Sequence, residues 1–269
     1  MWEIELRYYV GMTNPERQEI SPTRQNGDLW SALAKRHPQG ALLPPHQHRA
    51  GQLIFATSGV MQVKTGQGHW TVPPQRALWV PPQHPHAIQM FSDTEMRTVY
   101  VQPALIGQCT GFARHRQVHA LVASPLIKEL VFGLFDTRRS HDMRELMAGL
   151  LLHALGEAAT LPTYLPMPSE ARLRTALTEL MASNNWLLPM DEVASRAAMS
   201  GRTFTRRFSA EVGLSFRQWR QRARIVASLD LLAAHRATKF VAHAMGFASS
   251  AAYVAAFREV LGATPGTFR

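Results

Sequence analysis

A short helical pattern occurs twice in the last third of the chain, and that duplication restricts the fold more than any other feature. The first copy runs from Met190 to Phe208 and the second from Phe240 to Arg258. In the first, Val193, Ala194 and Ala197 form a small apolar face over which a second helix can cross closely, and Met199-Ser200 supplies a turn ending in an N-cap serine. Phe204 and Phe208, one helical turn apart, anchor that second helix in a core. Arg202, Thr205 and Arg206 are left on its opposite face. In the second copy Ser249 stands for Ser200 and Phe257 for Phe208, each 49 residues further on. Phe216 to Ala234 reads as a long helix between the copies, with Trp219, Ile225, Leu229 and Leu232 inward and Arg217, Arg220, Arg222 and Arg224 toward solvent or phosphate.

Charge follows the same division. Residues 172–269 hold 14 Lys+Arg against 6 Asp+Glu, whereas residues 1–171 hold 15 against 13. A basic tail alone is equally a solvated face, so the decision falls to the pattern. A helix lying in a major groove with Arg202 and Arg206 outward offers guanidinium groups to guanine edges or phosphates. The partner implied is double-stranded DNA.

The marks Gly246-Phe247-x-Ser249, Phe257-Arg258 and the ending Gly262-Ala263-Thr264-Pro265-Gly266-Thr267-Phe268-Arg269 carry a resemblance. Residues 172–269 resemble the DNA-binding domain of the AraC/XylS family of bacterial regulators. The resemblance implies two recognition helices entering successive major grooves. It gives Arg202, Thr205 and Arg206 as base-facing in the first unit and Ser250, Ala251 and Ala255 in the second. Thr203, Arg207, Ser249 and Arg258 complete the expected DNA contacts. Ala255 stands where many members carry a larger polar or basic side chain. The expectation is therefore that the first unit reads sequence and the second mainly positions.

From Gly40 to Gln102 the chain changes character. Short β-type runs at Gln52–Thr57, Met61–Lys64, His69–Val72, Ala77–Val80 and Arg97–Val101 are separated by Ser58-Gly59, Gly66 to Gly68, Pro73-Pro74 and Pro81-Pro82, a pattern of barrels and sandwiches. Gly40-x5-His46-x-His48-x3-Gln52-x6-Gly59 has the spacing of the first cupin motif, with glutamine at the usual glutamate, and Pro81-x-Gln83-x2-His86 resembles the second. The resemblance implies that His46, His48, Gln52 and His86 converge inside a barrel on an effector, or that His46, His48 and His86 hold a divalent metal ion. A neutral amide in place of a carboxylate weakens a dication site, so a metal-free barrel with hydrogen-bonded histidines stays open beside it. His69 and His84 lie outside the motif. Phe55, Trp79 and Met90 are expected to line the pocket.

Leu126, Leu130, Val131 and Leu134, then Leu146, Leu150, Leu151 and Leu155, fall at helical spacing and predict a helical hairpin that either covers the barrel or forms a dimer surface. Pro162, Pro166 and Pro168 predict a stiff linker. The fold class is α+β in two domains: an N-terminal cupin β-barrel with a helical hairpin and a C-terminal all-α domain with two helix-turn-helix units. The divisions are 1–20 unassigned, with Met12 a possible alternative start, 21–117 barrel, 118–159 hairpin, 160–170 linker and 171–269 DNA-binding domain.

No apolar run suggests a membrane span, and one cysteine, Cys109, fits a reducing compartment, so a cytoplasmic location is expected. The function these features predict is a transcriptional regulator rather than an enzyme, controlled by a small-molecule or metal effector. A homodimer is expected, with RNA polymerase a further partner if the protein activates. The alternative, a metal-dependent cupin enzyme with an appended basic domain, is weakened by Gln52.

Overall fold

The computed structural model describes residues 29–109 and 116–268. The unassigned segment 1–20, the first residues of the expected barrel and the terminal Arg269 lie outside them.

Two antiparallel sheets form the N-terminal part. The six-stranded sheet has the order β1 (Trp30–His37), β8 (Thr94–Val101), β3 (Gly51–Ser58), β6 (Arg76–Val80), β9 (His119–Val122), β10 (Thr160–Leu161). The five-stranded sheet has the order β11 (Tyr164–Pro166), β5 (Gly68–Val72), β4 (Met61–Lys64), β7 (His86–Met90), β2 (Leu42–His46). Side-chain alternation divides their residues between two cores. Ile54, Leu78 and Val80 of one sheet and Met61, Val63, Trp70, Ile88 and Met90 of the other fill the barrel interior. Leu53, Phe55, Ala77 and Trp79 point the other way and pack under α2 (Pro125–Leu134) and α3 (His141–Glu157), which follow the short helix α1 (Pro103–Gln108). Phe55 and Trp79 therefore do not line the barrel, contrary to expectation. Gln52 faces inward beside Ile54, so the odd step to Phe55 turns that ring outward, where it meets Phe132 edge-on at 5.9 Å.

The hairpin starts on serine caps, with Ser124 accepting from the Ile127 amide and Ser140 from the Met143 amide. Its inner face, Ile127, Leu130, Val131, Leu134, Leu151, Leu152 and Leu155, closes the second core. At about 1.5 to 3 kcal/mol for each large apolar side chain fully buried, this lid is a major part of the barrel's stability. Leu126, Met143, Leu146 and Leu150 stay exposed on its other side.

Within the stretch read as a stiff linker lie two short strands. Thr160 and Leu161 pair with Leu121 and Ala120, while Tyr164, Leu165 and Pro166 pair with Trp70, His69 and Gly68. Proline is tolerated in β11, which ends on Pro166, because β11 is an edge strand, where a missing N–H costs no ladder bond. The helices α4 (Ala171–Ser183), α5 (Met190–Arg196), α6 (Gly201–Val212), α7 (Phe216–Ala233), α8 (Thr238–Ala244) and α9 (Ser250–Leu261) follow, closed by a 3-10 turn at Pro265–Phe268. They dock on the barrel. Trp219 donates its indole N–H to the Pro166 carbonyl at 2.8 Å, Arg174 donates to the Gly66 carbonyl at 2.8 Å, and the Arg76 guanidinium sits 5.1 Å from the Phe268 ring. Among the described residues no helix is long and apolar enough to cross a membrane.

Candidate nucleic-acid interface and histidine cluster

Both helix-turn-helix units are built from the same local causes. Val193 and Ala194 of α5, like Val241 and Ala242 of α8, are buried at the helix crossing. Ser200 and Ser249 each cap the next helix by accepting the third amide, from Thr203 and Ala252. Phe204 and Phe208 stack at 5.7 Å inside the first unit, and Tyr253 and Phe257 meet at 5.6 Å inside the second. With those rings fixed inward, helical periodicity turns the opposite residues out. Arg202, Thr205, Arg206 and Arg207 on α6, and Ala251, Ala255 and Arg258 on α9, are exposed; Thr203 and Ser250 are half-buried, and the N-cap Ser249 is exposed.

Not all of these side chains are equally available. The Thr205 hydroxyl donates to the Gly201 carbonyl at 2.9 Å, which engages it within α6. Arg207 reaches Glu170 at 3.2 Å, tying α6 back to the segment that leaves the barrel. Arg202 and Arg206 border an open groove of about 570 Å³ with Met190, Asp191, Gly201 and Thr205. Two of the arginines expected to face solvent or phosphate from the long helix do other work. Arg224 donates from Nε to the Met245 carbonyl at 2.6 Å with its guanidinium 3.8 Å over the Phe247 ring, and Arg220 lies 4.4 Å over Phe216. Both are half-buried. Arg224 thereby satisfies a carbonyl at the end of α8, a structural clamp on the second unit's turn.

The histidines named by the cupin-like spacing do come together. One ring nitrogen from each of His46, His48 and His86 lies within 4.8 Å of the other two, and β-pairing sets His46 directly opposite His86. Each ring spends its Nδ1 on a backbone carbonyl two residues away: His46 on Pro44 at 2.8 Å, His48 on Ala50 at 2.7 Å, His86 on His84 at 2.8 Å. A carbonyl only accepts, so each Nδ1 carries a proton, which leaves Nε2 as the nitrogen that can ligate a metal. This is the outer-shell arrangement that orients metal-binding imidazoles. The His86 Nε2 is buried with no hydrogen-bond partner, and burial, helped by the neighbouring His46, His48 and His84, holds that imidazole down at about 4. His86 is therefore neutral at physiological pH.

Gln52 is buried, with its amide oxygen 2.9 Å from His48 Nε2 and its amide nitrogen 3.5 Å from the Tyr100 hydroxyl. Turned end for end, the amide donates to His48 and accepts from Tyr100, which satisfies all three groups. Tyr100 also packs edge-on against His48 at 5.0 Å. Sequence reasoning missed Tyr100; its register opposite Gln52 across β3 and β8 is the signal that finds it. His69 and His84 are not in the cluster. His69 sits on β5, where burial, then Lys64 and Arg174, depress it to about 3. The donor set, one ring nitrogen from each of three histidines, fits a divalent metal, with Gln52 contributing no negative charge.

The comparisons with known proteins follow this geometry. Residues 31–164 match the family described as the AraC-like ligand binding domain, and residues 193–269 match the helix-turn-helix domain. The HTH-type transcriptional regulator NimR of Escherichia coli strain K12 is 33% identical over 230 residues, which is 84% of this chain and 81% of NimR. The chain belongs to the AraC/XylS family of transcriptional regulators. RipA of Corynebacterium glutamicum, another HTH-type regulator, is 33% identical over 103 residues, covering 38% of this chain and 31% of RipA. Apo ToxT from Vibrio cholerae aligns over 91% of this chain and 98% of its own at 10% identity and a TM-score of 0.40, too distant to transfer anything about a site. This AraC-family regulator thus joins a ligand-binding type of barrel to a DNA-binding domain.

Proposed function

We propose that the protein is a cytoplasmic one-component regulator whose barrel senses a divalent metal, or a small molecule held by one, at His46, His48 and His86. In this reading α6 and α9 enter the major groove. Arg202, Thr203, Thr205, Arg206 and Arg207 act in the first unit and Ser249, Ser250, Ala251, Ala255 and Arg258 in the second. The observation that carries the DNA side is the exposed Arg202–Arg206 pair, one turn apart, on a helix whose opposite face is locked by Phe204 and Phe208. Support for the metal side is the buried His86 Nε2, left without a hydrogen-bond partner in a cluster of three histidines whose ligand nitrogens lie within 4.8 Å of one another. A bound cation supplies a Lewis-acidic anchor for an oxygen or nitrogen of an effector. To bind it, His48 must release the Gln52 amide, which links occupancy to Gln52 and Tyr100.

The exposed Leu126, Met143, Leu146 and Leu150 support a homodimer across the hairpin, since a row of large apolar side chains in water marks an interaction surface. RNA polymerase enters as a partner only if the protein activates.

The test is selection of bound genomic fragments by the full chain, purified without a His tag, with and without Zn, Ni, Mn and Fe. Retention of specific duplexes with one metal per chain, and loss of the metal but not of folding in His86→Ala, is the expected result. Substoichiometric metal under all four conditions removes the metal reading and leaves the regulator reading standing.

A further inference from the structure

The two recognition helices present opposite chemistry at matching positions. Aligned on their serine caps and on Phe208 and Phe257, Arg202 of α6 corresponds to Ala251 of α9, Thr203 to Ala252 and Arg206 to Ala255. Ala251, Ala252 and Ala255 are all exposed, and their spacings of three and four residues put them on one side of the helix. Beyond Val254, which is half-buried, no longer side chain stands out from α9 before Arg258. The helix is nonetheless held firmly. Tyr253 and Phe257 are fully buried beneath it, and the Tyr253 hydroxyl meets the Ser228 hydroxyl at 2.9 Å in the core.

An alanine side chain neither donates nor accepts, so it cannot distinguish bases by hydrogen bonding. Among the groups that base pairs present in the major groove, the one apolar feature is the thymine 5-methyl. A face made of methyls, free of long side chains, also lets the helix axis come closer to the groove floor. We propose that α9 reads thymine methyl groups through Ala251, Ala252 and Ala255, so that the half-site under the second unit is rich in T·A pairs. Ser250 and Arg258 then hold phosphates on either side of the contact. The inference rests on the reading of α9 as a groove-facing helix, and it replaces the expectation that the second unit mainly positions.

The experiment starts from a duplex selected out of a random pool by the full-length protein. Deoxyuridine is then substituted for thymidine in one half-site at a time. Uracil keeps every hydrogen-bonding group and loses only the methyl. Each contacted methyl removed from the α9 half-site raises Kd about fourfold, the equivalent of one buried methyl, and two raise it about fifteenfold. In Ala255→Gly, with folding checked by circular dichroism, the penalty at one thymine disappears while the others persist. Unchanged Kd after uracil substitution throughout the α9 half-site, or a selected pool without thymine enrichment there, overturns the proposal. If no duplex is selected at all, the DNA-binding reading fails with it, so the two failures are distinguishable.

Discussion

The first and second helix-turn-helix units share a core and differ in their turns, faces and attachments. Their cores match closely: valine and alanine at the crossing, a serine cap, an aromatic pair one turn apart. Their turns do not. Residues 197–200 connect α5 to α6, whereas residues 245–249 connect α8 to α9, so the second turn is longer by Ala248. The left-handed position is Ala198 in one, at φ 52°, and Gly246 in the other, at φ 70°. Attachments differ as well. Glu211 of α6 accepts from the Ser169 and Glu170 amides and the Ser169 hydroxyl, wiring the first unit to the chain that leaves β11. The second unit is clamped from within by Arg224. The two units share what crossing helices need in order to fold and differ in their exposed faces and in their attachments.

The largest effect tests the shared core. Phe208→Ala and Phe257→Ala should each cost about 3 to 5 kcal/mol in urea denaturation, because both rings are completely buried. Similar values support equivalence of the units; a loss under about 1 kcal/mol at either ring breaks it. The next effect tests the divergent faces. Arg206→Ala should weaken specific binding by about 1 to 3 kcal/mol, against little change in non-specific affinity, if Arg206 pairs with a guanine. A gel-shift titration with unchanged operator preference assigns Arg206 to phosphate instead.

These contrasts bear on what sequence alone could reveal. The helix-turn-helix units were legible because their determinants are local: a cap, a turn, aromatic residues four apart. The histidine cluster was legible through a motif, since His46 and His48 share one strand face and His86 follows from the second motif. Strand pairing was less so. β10 and β11 lie in a proline-bearing stretch whose β character exists only because β9 and β5 offer open edges, and no local signal announces a partner 40 to 100 residues away. The misplacement of Phe55 and Trp79 is of another kind, because parity counted from Gln52 through the register Gln52–Val80 and Leu53–Trp79 places both outside the barrel. The double role of Arg224 was hidden for the opposite reason. Its spacing on α7 suits an exposed face, and only the arrival of the α8 turn gives its guanidinium a ring and a carbonyl to cover.

A smaller pair of effects addresses the turns. Gly246→Ala places a side chain at φ 70°, where an L-residue costs roughly 1 to 2 kcal/mol, and its new methyl comes within 3.4 Å of Leu187. The reciprocal change, Ala198→Gly, removes an L-residue from φ 52° in the first unit. That relief is partly offset by the greater freedom of glycine in the unfolded chain, about 0.5 to 1 kcal/mol, so the net gain is at most about 1.5 kcal/mol. Thermal denaturation of the two variants should therefore move in opposite directions. If Ala198→Gly instead lowers Tm, the methyl of Ala198 packs productively enough to outweigh its backbone strain. The first turn would then be held by contacts rather than by glycine, so that the two turns differ in what stabilises them as well as in length.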